Sequence, residues 1–441
     1  MMAHLRGYSV SIGDCQDAFL QAPIQEAAEV WVWPPPEAQE SEGHAWLLRK
    51  TLPGLKGGPA AWGDHATETT TREFGLTPSR IDPCLSSDPK KEIWCLRHMD
   101  DYLMVGPRRN LDEIHEGMAS KMKLRDITYV DTAGDSVQFL GWILTRTSQG
   151  FDVQVNNQLA QAIVEDAGLQ GTTRVCQVPG TRDRVVDDTP ASDLEHRYYR
   201  TQVGRLLFYS VLRPDLQLAT TRLSKHVHAP TAGNLVMLKR AIRYLRSTSH
   251  LVLHLRPVGL RPRIEAQTDS DWAGSDDRRS TTGGVITVAG ACVLSYSRTQ
   301  ASRALSSCEA ELYAMGSGAV EVLQLHALMV EQGFLKKDEV PLLRTDSSSA
   351  LTLAGRRGQG RLKHVECRLL ALQDWAQERR LAMGRVSTTE NMSDLLTKFL
   401  TKVALADAMQ RLGVGEPGTG GELAGVLSGA ATPWAGHLAK T

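Results

Sequence analysis

The sequence has no CxxC pair, no uninterrupted apolar run of membrane-spanning length, no internal repeat and no net charge. Each absence removes a class of protein. The seven cysteines, at 15, 84, 95, 176, 292, 308 and 367, are odd in number and scattered. That argues against a disulfide framework or a zinc site and fits a reducing, intracellular compartment, with cytoplasm and nucleus not distinguished. Without a long apolar run no membrane span is expected. The opening residues MMAHLRGYSVSIGD carry no signal-peptide pattern. Lysine plus arginine equals aspartate plus glutamate at 50 each, so global charge offers no argument for nucleic acid.

What is present suits globular domains. The chain has 441 residues, 41% hydrophobic and 23% charged, enough for two or three domains. Residues 7–33 read as strand, turn and strand before the breaker Pro34-Pro35-Pro36. Residues 59–74 read as a helix stopped by Gly75, 93–105 as two short strands around a polar tip, 137–145 as a strand and 157–167 as a helix. The polar stretch 168–193 reads as a linker, and 198–256 as helical. Within 235–246, Leu235, Leu238, Ile242 and Leu245 form an apolar stripe, with Lys239, Arg243 and Arg246 beside it. From Arg200 to Arg263 there are twelve Lys/Arg and one acid, Asp215. The basic stripe is therefore either a solvated helix face or a phosphate-contacting surface. From Ile264 the pattern is a strand to Asp269, a hairpin over 284–298 around Gly290, a long helix over 302–331, a strand over 341–346 and a short helix over 347–354. A helix over 365–379, a strand over 382–388 and a helix over 391–400 complete a mixed α/β order. The Gly- and Ala-rich residues after Gly413 read as a loose tail.

Two sets of carboxylates stand out. Asp14 follows a strand-like segment, and Asp100 with Asp101 occupies the tip between two strands. If these segments are sheet neighbours, three carboxylates can hold two magnesium ions ~4 Å apart. By itself an Asp-Asp turn is an ordinary solvated tip. Asp269, Glu311, Asp346 and Asp394 come from four separate elements, which lets them surround paired cations. Asp271 and Asp276-Asp277 compete with Asp269. Glu309 competes with Glu311, but two residues on a helix point roughly 200° apart, so both cannot face one metal pair. Asp394 is also a candidate for a helix N-terminal acid.

The segments DCQDAFLQAPI (14–24), LPGLKGGPAAW (52–62), IDPCL (81–85), MDDYLMVG (99–106) and FLGWIL (139–144) resemble, in order and spacing, the reverse transcriptase of copia-type retrotransposons. TDSDWAG (268–274), RRSTTGG (278–284), ALSSCEAELYA (304–314), RTDSSSALTLA (344–354), KHVECR (363–368) and MSDLLTK (392–398) resemble the RNase H domain of the same family. The region between, 199–230 and 238–247, is similar to the family's connecting segment. The resemblance implies an α/β chain: an α+β polymerase palm followed by an RNase H-like mixed-sheet domain. The implied boundaries are a partial palm over 1–150, a basic thumb/connection over 151–262, the RNase H-like domain over 263–402 and a C-terminal tail over 403–441.

On that resemblance the catalytic metal ligands are Asp14, Asp100 and Asp101 in one site and Asp269, Glu311, Asp346 and Asp394 in the other. Each would hold two Mg²⁺, with Mn²⁺ a possible substitute. Phe19 would lie under the sugar of an incoming deoxynucleotide, and Gly54 and Lys56 in the loop lining nucleotide and template. Phe139–Trp142 would help hold the primer end. Lys239, Arg243 and Arg246 would guide the RNA–DNA hybrid, His364 and Arg368 would contact the scissile strand, and Ser306 and Ser307 would order the helix carrying Glu311. The implied function is an RNA-directed DNA polymerase with RNase H, taking RNA template, DNA primer and hybrid. The family usually has tyrosine where His98 stands. Cys308 also replaces a more usual small hydroxyl residue. The chain begins near the first catalytic strand, without the fingers that precede it in the family, so weak or absent primer extension is expected. The alternatives are a non-catalytic retroelement relic that at most binds nucleic acid, and a domesticated stand-alone hybrid nuclease.

Overall fold

The computed structural model describes residues 1–24, 29–39, 43–171, 175–182, 186–259, 261–274, 277–358 and 367–418. Two compact units form among the described residues, one from Met2–Phe139 with Glu331–Gly333, the other from Leu140–Val330 with the described residues between 334 and 418.

In the first unit α1 (Met2–Arg6) and β1 (Ser9–Cys15) lead into a short α2 (Ala18–Gln21) and the small hairpin β2 (Trp31–Val32) and β3 (Trp46–Leu47). Then come α3 (Gly58–Phe74), β4 (Thr77–Pro78), β5 (Leu85–Asp88), β6 (Ile93–His98), β7 (Asp101–Gly106), α4 (Arg108–Met122), β8 (Leu124–Val130) and β9 (Ser136–Phe139). The main sheet runs β4-β5-β6-β7-β1-β8, antiparallel throughout. Trp62 and Ala66 of α3 and Leu111 and Met118 of α4 pack with Tyr102 and Met104 of β7, giving one apolar core. α3 ends where expected, because Gly75 takes the left-handed conformation (φ 74°) and its N–H bonds back to the last turn.

The second unit opens with β10 (Trp142–Thr147), β11 (Gly150–Val155) and α5 (Asn157–Asp166). The expected strand over 137–145 is interrupted, since Leu140 (φ 51°) and Gly141 (φ 81°) both adopt left-handed backbone and turn the chain. The run expected to be helical, 198–256, is α6 (Asp193–Ser210), α7 (Pro214–Ser224), α8 (Ala232–Thr248) and then a strand, β12 (Val252–Leu255). Pro214 starts α7, and capping boxes at Ser192 and Thr231 start α6 and α8. Next come β13 (Ile264–Asp271), β14 (Thr281–Val288), β15 (Ala291–Thr299), α9 (Ser307–Glu331), β16 (Leu342–Thr345), α10 (Ser348–Ala354), α11 (Ala371–Gln377) and β17 (Ala382–Arg385). A 3₁₀ turn (Met392–Leu396), α12 (Lys402–Arg411) and β18 (Val414–Gly415) close the described chain. The helix expected over 391–400 is thus a single tight turn, and Thr401 caps the helix that follows it. Residues 403–415, assigned above to the tail, are structured: Leu405 and Met409 are buried, and β18 pairs antiparallel with β12.

The mixed sheet is ordered β15-β14-β13-β16-β17, with β14 and β15 antiparallel and β16 and β17 parallel to β13. α9 lies close against it, because a Cβ on Gly318 would stand 2.5 Å from the Thr268 methyl. The edge strand β15 is covered by α7. Gln217 donates to the Ser295 carbonyl (3.0 Å) and Thr221 to the Ser297 carbonyl (2.8 Å). Leu206, Leu216, Leu238 and Ile242 share one apolar cluster with Val285, Cys292, Leu395 and Leu396. The core therefore runs through the position, between 262 and 263, where the resemblance implied a boundary.

Much of the basic segment turns inward. Arg213 and Asp215 are buried and joined by two hydrogen bonds of 2.9 and 2.6 Å. Arg213 also donates to the Thr248 carbonyl (2.6 Å), and the Tyr244 hydroxyl donates to Asp215 (2.7 Å). Buried Arg256 pairs with Asp152 at 3.3 Å, beside His254. Among the described residues no helix is long and apolar enough to cross a membrane.

Candidate functional site

Asp269 lies near the end of β13, Asp346 directly follows β16, and Asp394 sits in the 3₁₀ turn. Adjacent parallel strands carry the first two to the same end of the sheet, as β13 and β16 pair through Thr268 and Thr345. Ligand oxygens of the three carboxylates lie within 4.8 Å of one another, and no other such group of three occurs among the described residues. Glu311, on the first turns of α9, is 6% exposed, and its Oε2 has no hydrogen-bond partner among the described residues. Its competitor Glu309 is spent locally. It accepts from the Leu305 N–H (2.6 Å), while Ser306 Oγ accepts from the Glu309 N–H (3.2 Å). Asp271 is paired with Arg222 (3.1 Å), and Asp277 with Lys225 (3.9 Å).

Burial, and then the charge of Asp269, push the Glu311 carboxyl up from 4.5 to about 8. Burial pushes Asp269 up to about 6; Lys398 opposes the rise, while Asp394 and Asp346 add to it. A carboxyl raised in the folded state stabilises the fold below its unfolded pKa and loses that contribution as pH rises through the folded value. Metal-free protein is therefore expected to lose melting temperature progressively between pH 4.5 and about 8, and Glu311→Gln to flatten that loss. Thermal melts in EDTA across that range check it; an unchanged slope in the variant would refute it.

Two further residues, neither singled out from sequence, complete the cluster. Thr397 Oγ1 donates to Asp269. Lys398 Nζ stands 3.0 Å from Asp394 and 3.3 Å from Asp269. The available signal was spacing, because Lys398 follows Asp394 by four residues within MSDLLTK. Gly283 is the enabling position. It pairs with Asp269 across β13 and β14, and a Cβ there would meet Thr397 Cγ2 at 2.8 Å and the Ser393 carbonyl at 2.9 Å. Gly283→Ala should lift the 393–398 segment off the sheet, costing ~1–3 kcal/mol in urea denaturation and weakening divalent-cation affinity. Wild-type stability and affinity together would refute this.

The predicted basic stripe is not one surface. Lys239 is exposed, but Arg246 donates to the Leu169 carbonyl (3.3 Å). Arg243 lines a cavity of about 190 Å³ with Arg240 and Phe399. A larger cleft of about 610 Å³ is lined by Arg182, Arg222, Lys225, His226 and Lys398, with Asp271 and Asp277. His364 lies outside the described residues, as does the side chain of Arg368.

In the first unit Asp14 of β1 stands directly across from Asp101 of β7. Asp100 sits in the β6–β7 turn, which Met99 makes possible with left-handed backbone (φ 56°). That turn is held from two sides, as Trp62 Nε1 donates to the Met99 carbonyl (2.7 Å) and the Cys15 N–H to the Asp100 carbonyl (2.9 Å). Burial, followed by the charges of Asp100, Asp101 and Asp126, raises the pKa of Asp14. Burial and Asp100 raise that of Asp101. The three carboxylates are near enough to repel but are not drawn within 4.8 Å of one another. Phe19 is half-buried, its ring 3.3 Å from where a Gly58 Cβ would lie. Gly54 (φ 97°) and exposed Lys56 occupy the loop before α3. Phe139 is buried and ends β9, and Trp142 begins β10.

Residues 2–181 match the family model for reverse transcriptase (RNA-dependent DNA polymerase). The retrovirus-related Pol polyprotein from transposon RE2 of Arabidopsis thaliana is 27% identical over 420 residues, which is 93% of this chain. Over most of its length the chain is similar to the copia-type retrotransposon Pol polyproteins. It spans 28% of the length of the RE2 polyprotein. It is also 26% identical over 406 residues to the Pol polyprotein from transposon TNT 1-94 of Nicotiana tabacum, covering 88% of this chain and 30% of that one. In fold the chain is similar to a foamy viral protease-reverse transcriptase solved in complex with dsDNA. The TM-score is 0.50 at 12% identity, over 88% of this chain and 70% of that one.

Proposed function

We propose that this chain is a nucleic-acid enzyme whose second unit cleaves the RNA strand of RNA–DNA hybrids. One observation carries the reading: Asp269, Asp346 and Asp394 converge within 4.8 Å, beside a buried Glu311 whose Oε2 has no partner among the described residues. Hard carboxylate oxygens at that spacing fit magnesium or manganese. Bound divalent cations there would supply an activated water and stabilise the leaving oxygen. The protein's part is positioning. β13 and β16 fix two ligands on neighbouring strands, Gly283 admits the third, and Thr397 orients Asp269. Arg182 and His226 line the adjoining cleft beside the paired Arg222 and Asp271, and offer it groups suited to phosphates. The hybrid's 2′-hydroxyls would select the RNA strand.

A second activity, at most weak primer extension with deoxynucleotides, has the facing pair Asp14 and Asp101 in its support. The test of the main reading is cleavage of an end-labelled RNA–DNA hybrid by the full chain, with Mg²⁺ or Mn²⁺ against EDTA. Metal-dependent cleavage of the RNA strand is expected. Folded protein inert with either metal would favour the non-catalytic relic instead.

A further inference from the structure

Every group in the acidic cluster except one is a carboxylate or a hydroxyl. The exception is Lys398, whose ammonium lies between Asp269 and Asp394, with its side chain 32% exposed. Asp269 is 2% exposed, so its charge would face Asp346 and Asp394 without relief if Lys398 were elsewhere. A short helical spacing ties the lysine to Asp394 by its own backbone, so the ammonium is delivered to the cluster whenever the 3₁₀ turn docks. The contact is also incomplete as a structural bridge. The two distances to Asp269, 3.3 and 3.4 Å, are long for charge-assisted bonds, and the side chain borders the 610 Å³ cleft into which it can withdraw.

We propose that Lys398 is a resident counter-ion of this site. Its ammonium holds Asp269 and Asp394 together in the metal-free protein and competes with divalent cations for the same oxygens. The inference rests on reading the cluster as a divalent-cation site, and it adds a built-in competitor that sets how much metal the site needs. Lys398 gives up its two carboxylates when a cation is taken up, and the cleft receives the freed side chain. The consequence is a threshold, with the cluster orderly at low metal and loaded only above a concentration that the lysine helps to fix.

Isothermal titration of Mn²⁺ into the full chain, without nucleic acid, tests this with two variants that move in opposite directions. Lys398→Met removes the competitor and is expected to bind Mn²⁺ about tenfold more tightly, the equivalent of ~1.4 kcal/mol. The same variant should melt at a lower temperature in EDTA and regain wild-type melting in saturating Mn²⁺. Lys398→Arg keeps the charge but can bridge two carboxylates more firmly, so it is expected to bind Mn²⁺ several-fold more weakly than wild type. This second variant keeps the test decisive if the methionine protein folds poorly. A purely long-range effect of charge would leave Lys398→Arg like wild type, and that result overturns the proposal. So does wild-type or weaker affinity in folded Lys398→Met. If wild-type protein binds no Mn²⁺ at all, the reading of the cluster as a cation site fails, and the inference with it. Binding that ignores both substitutions sinks the inference alone.

Discussion

Asp269→Asn is expected to lower metal-dependent cleavage of an RNA–DNA hybrid by roughly a thousandfold or more. The carboxylate is 2% exposed, sits where β13 meets the acids of β16 and the 3₁₀ turn, and takes bonds from both Thr397 and Lys398. Asparagine keeps the shape and can still accept from Thr397, so the fold should persist. What it loses is the charge on which cation affinity depends. The sequence offered Asp271 as a competitor, and the ion pair with Arg222 gives it another task. Asp271→Asn should therefore change the same rate by less than about tenfold, on the scale of one partly exposed ion pair. Single-turnover cleavage with both variants, each checked by circular dichroism, decides the matter. If Asp271→Asn is the crippling change and Asp269→Asn the mild one, the ligand set is misassigned.

Asp215→Ala carries the largest expected effect on stability, a loss of ~3–5 kcal/mol. The reason is what it leaves behind. Arg213 is 2% exposed, and its guanidinium would lose a two-pronged carboxylate while keeping only Thr248. The Tyr244 hydroxyl would lose its acceptor as well. Removing both charges should be gentler, because the uncompensated cation is then gone. Arg213→Met combined with Asp215→Ala is expected to be more stable than Asp215→Ala alone. Guanidinium denaturation of wild type and the two variants measures this. A single Asp215→Ala variant within about 1 kcal/mol of wild type would mean that water reaches the guanidinium.

The basic segment around Arg213 also marks the limit of reading charge along a chain. Twelve basic residues against one acid in 200–263 looked like a phosphate-binding face. Their partners come from elsewhere: Asp166 for Arg205, Asp152 for Arg256, Asp271 for Arg222 and Asp277 for Lys225. A local count cannot anticipate such pairs, because tertiary contact supplies the acids. The three acids that converge, Asp269, Asp346 and Asp394, were legible for the opposite reason. Each stands in a short segment whose strand or turn is set locally, and β13 pairing with β16 then does the gathering. Glu309 and Glu311 were separable by helical geometry alone, and the Leu305 N–H explains which is occupied. Lys398 escaped notice because sequence reasoning sought ligands, and an ammonium is not one. The structured end of the chain, α12 and β18, was hidden by the Gly- and Ala-rich composition that follows it.

The lid that α7 forms over β15 has a practical consequence. Gln217 and Thr221 occupy carbonyls that an outermost strand would otherwise offer to a neighbour. Excising the segment that starts at residue 263 would strip that lid and bare apolar side chains that Leu216 and Leu238 now cover. Such a truncated piece would tend to stack strand against strand into insoluble material, so a soluble fragment that carries the acidic cluster has to start upstream of α6.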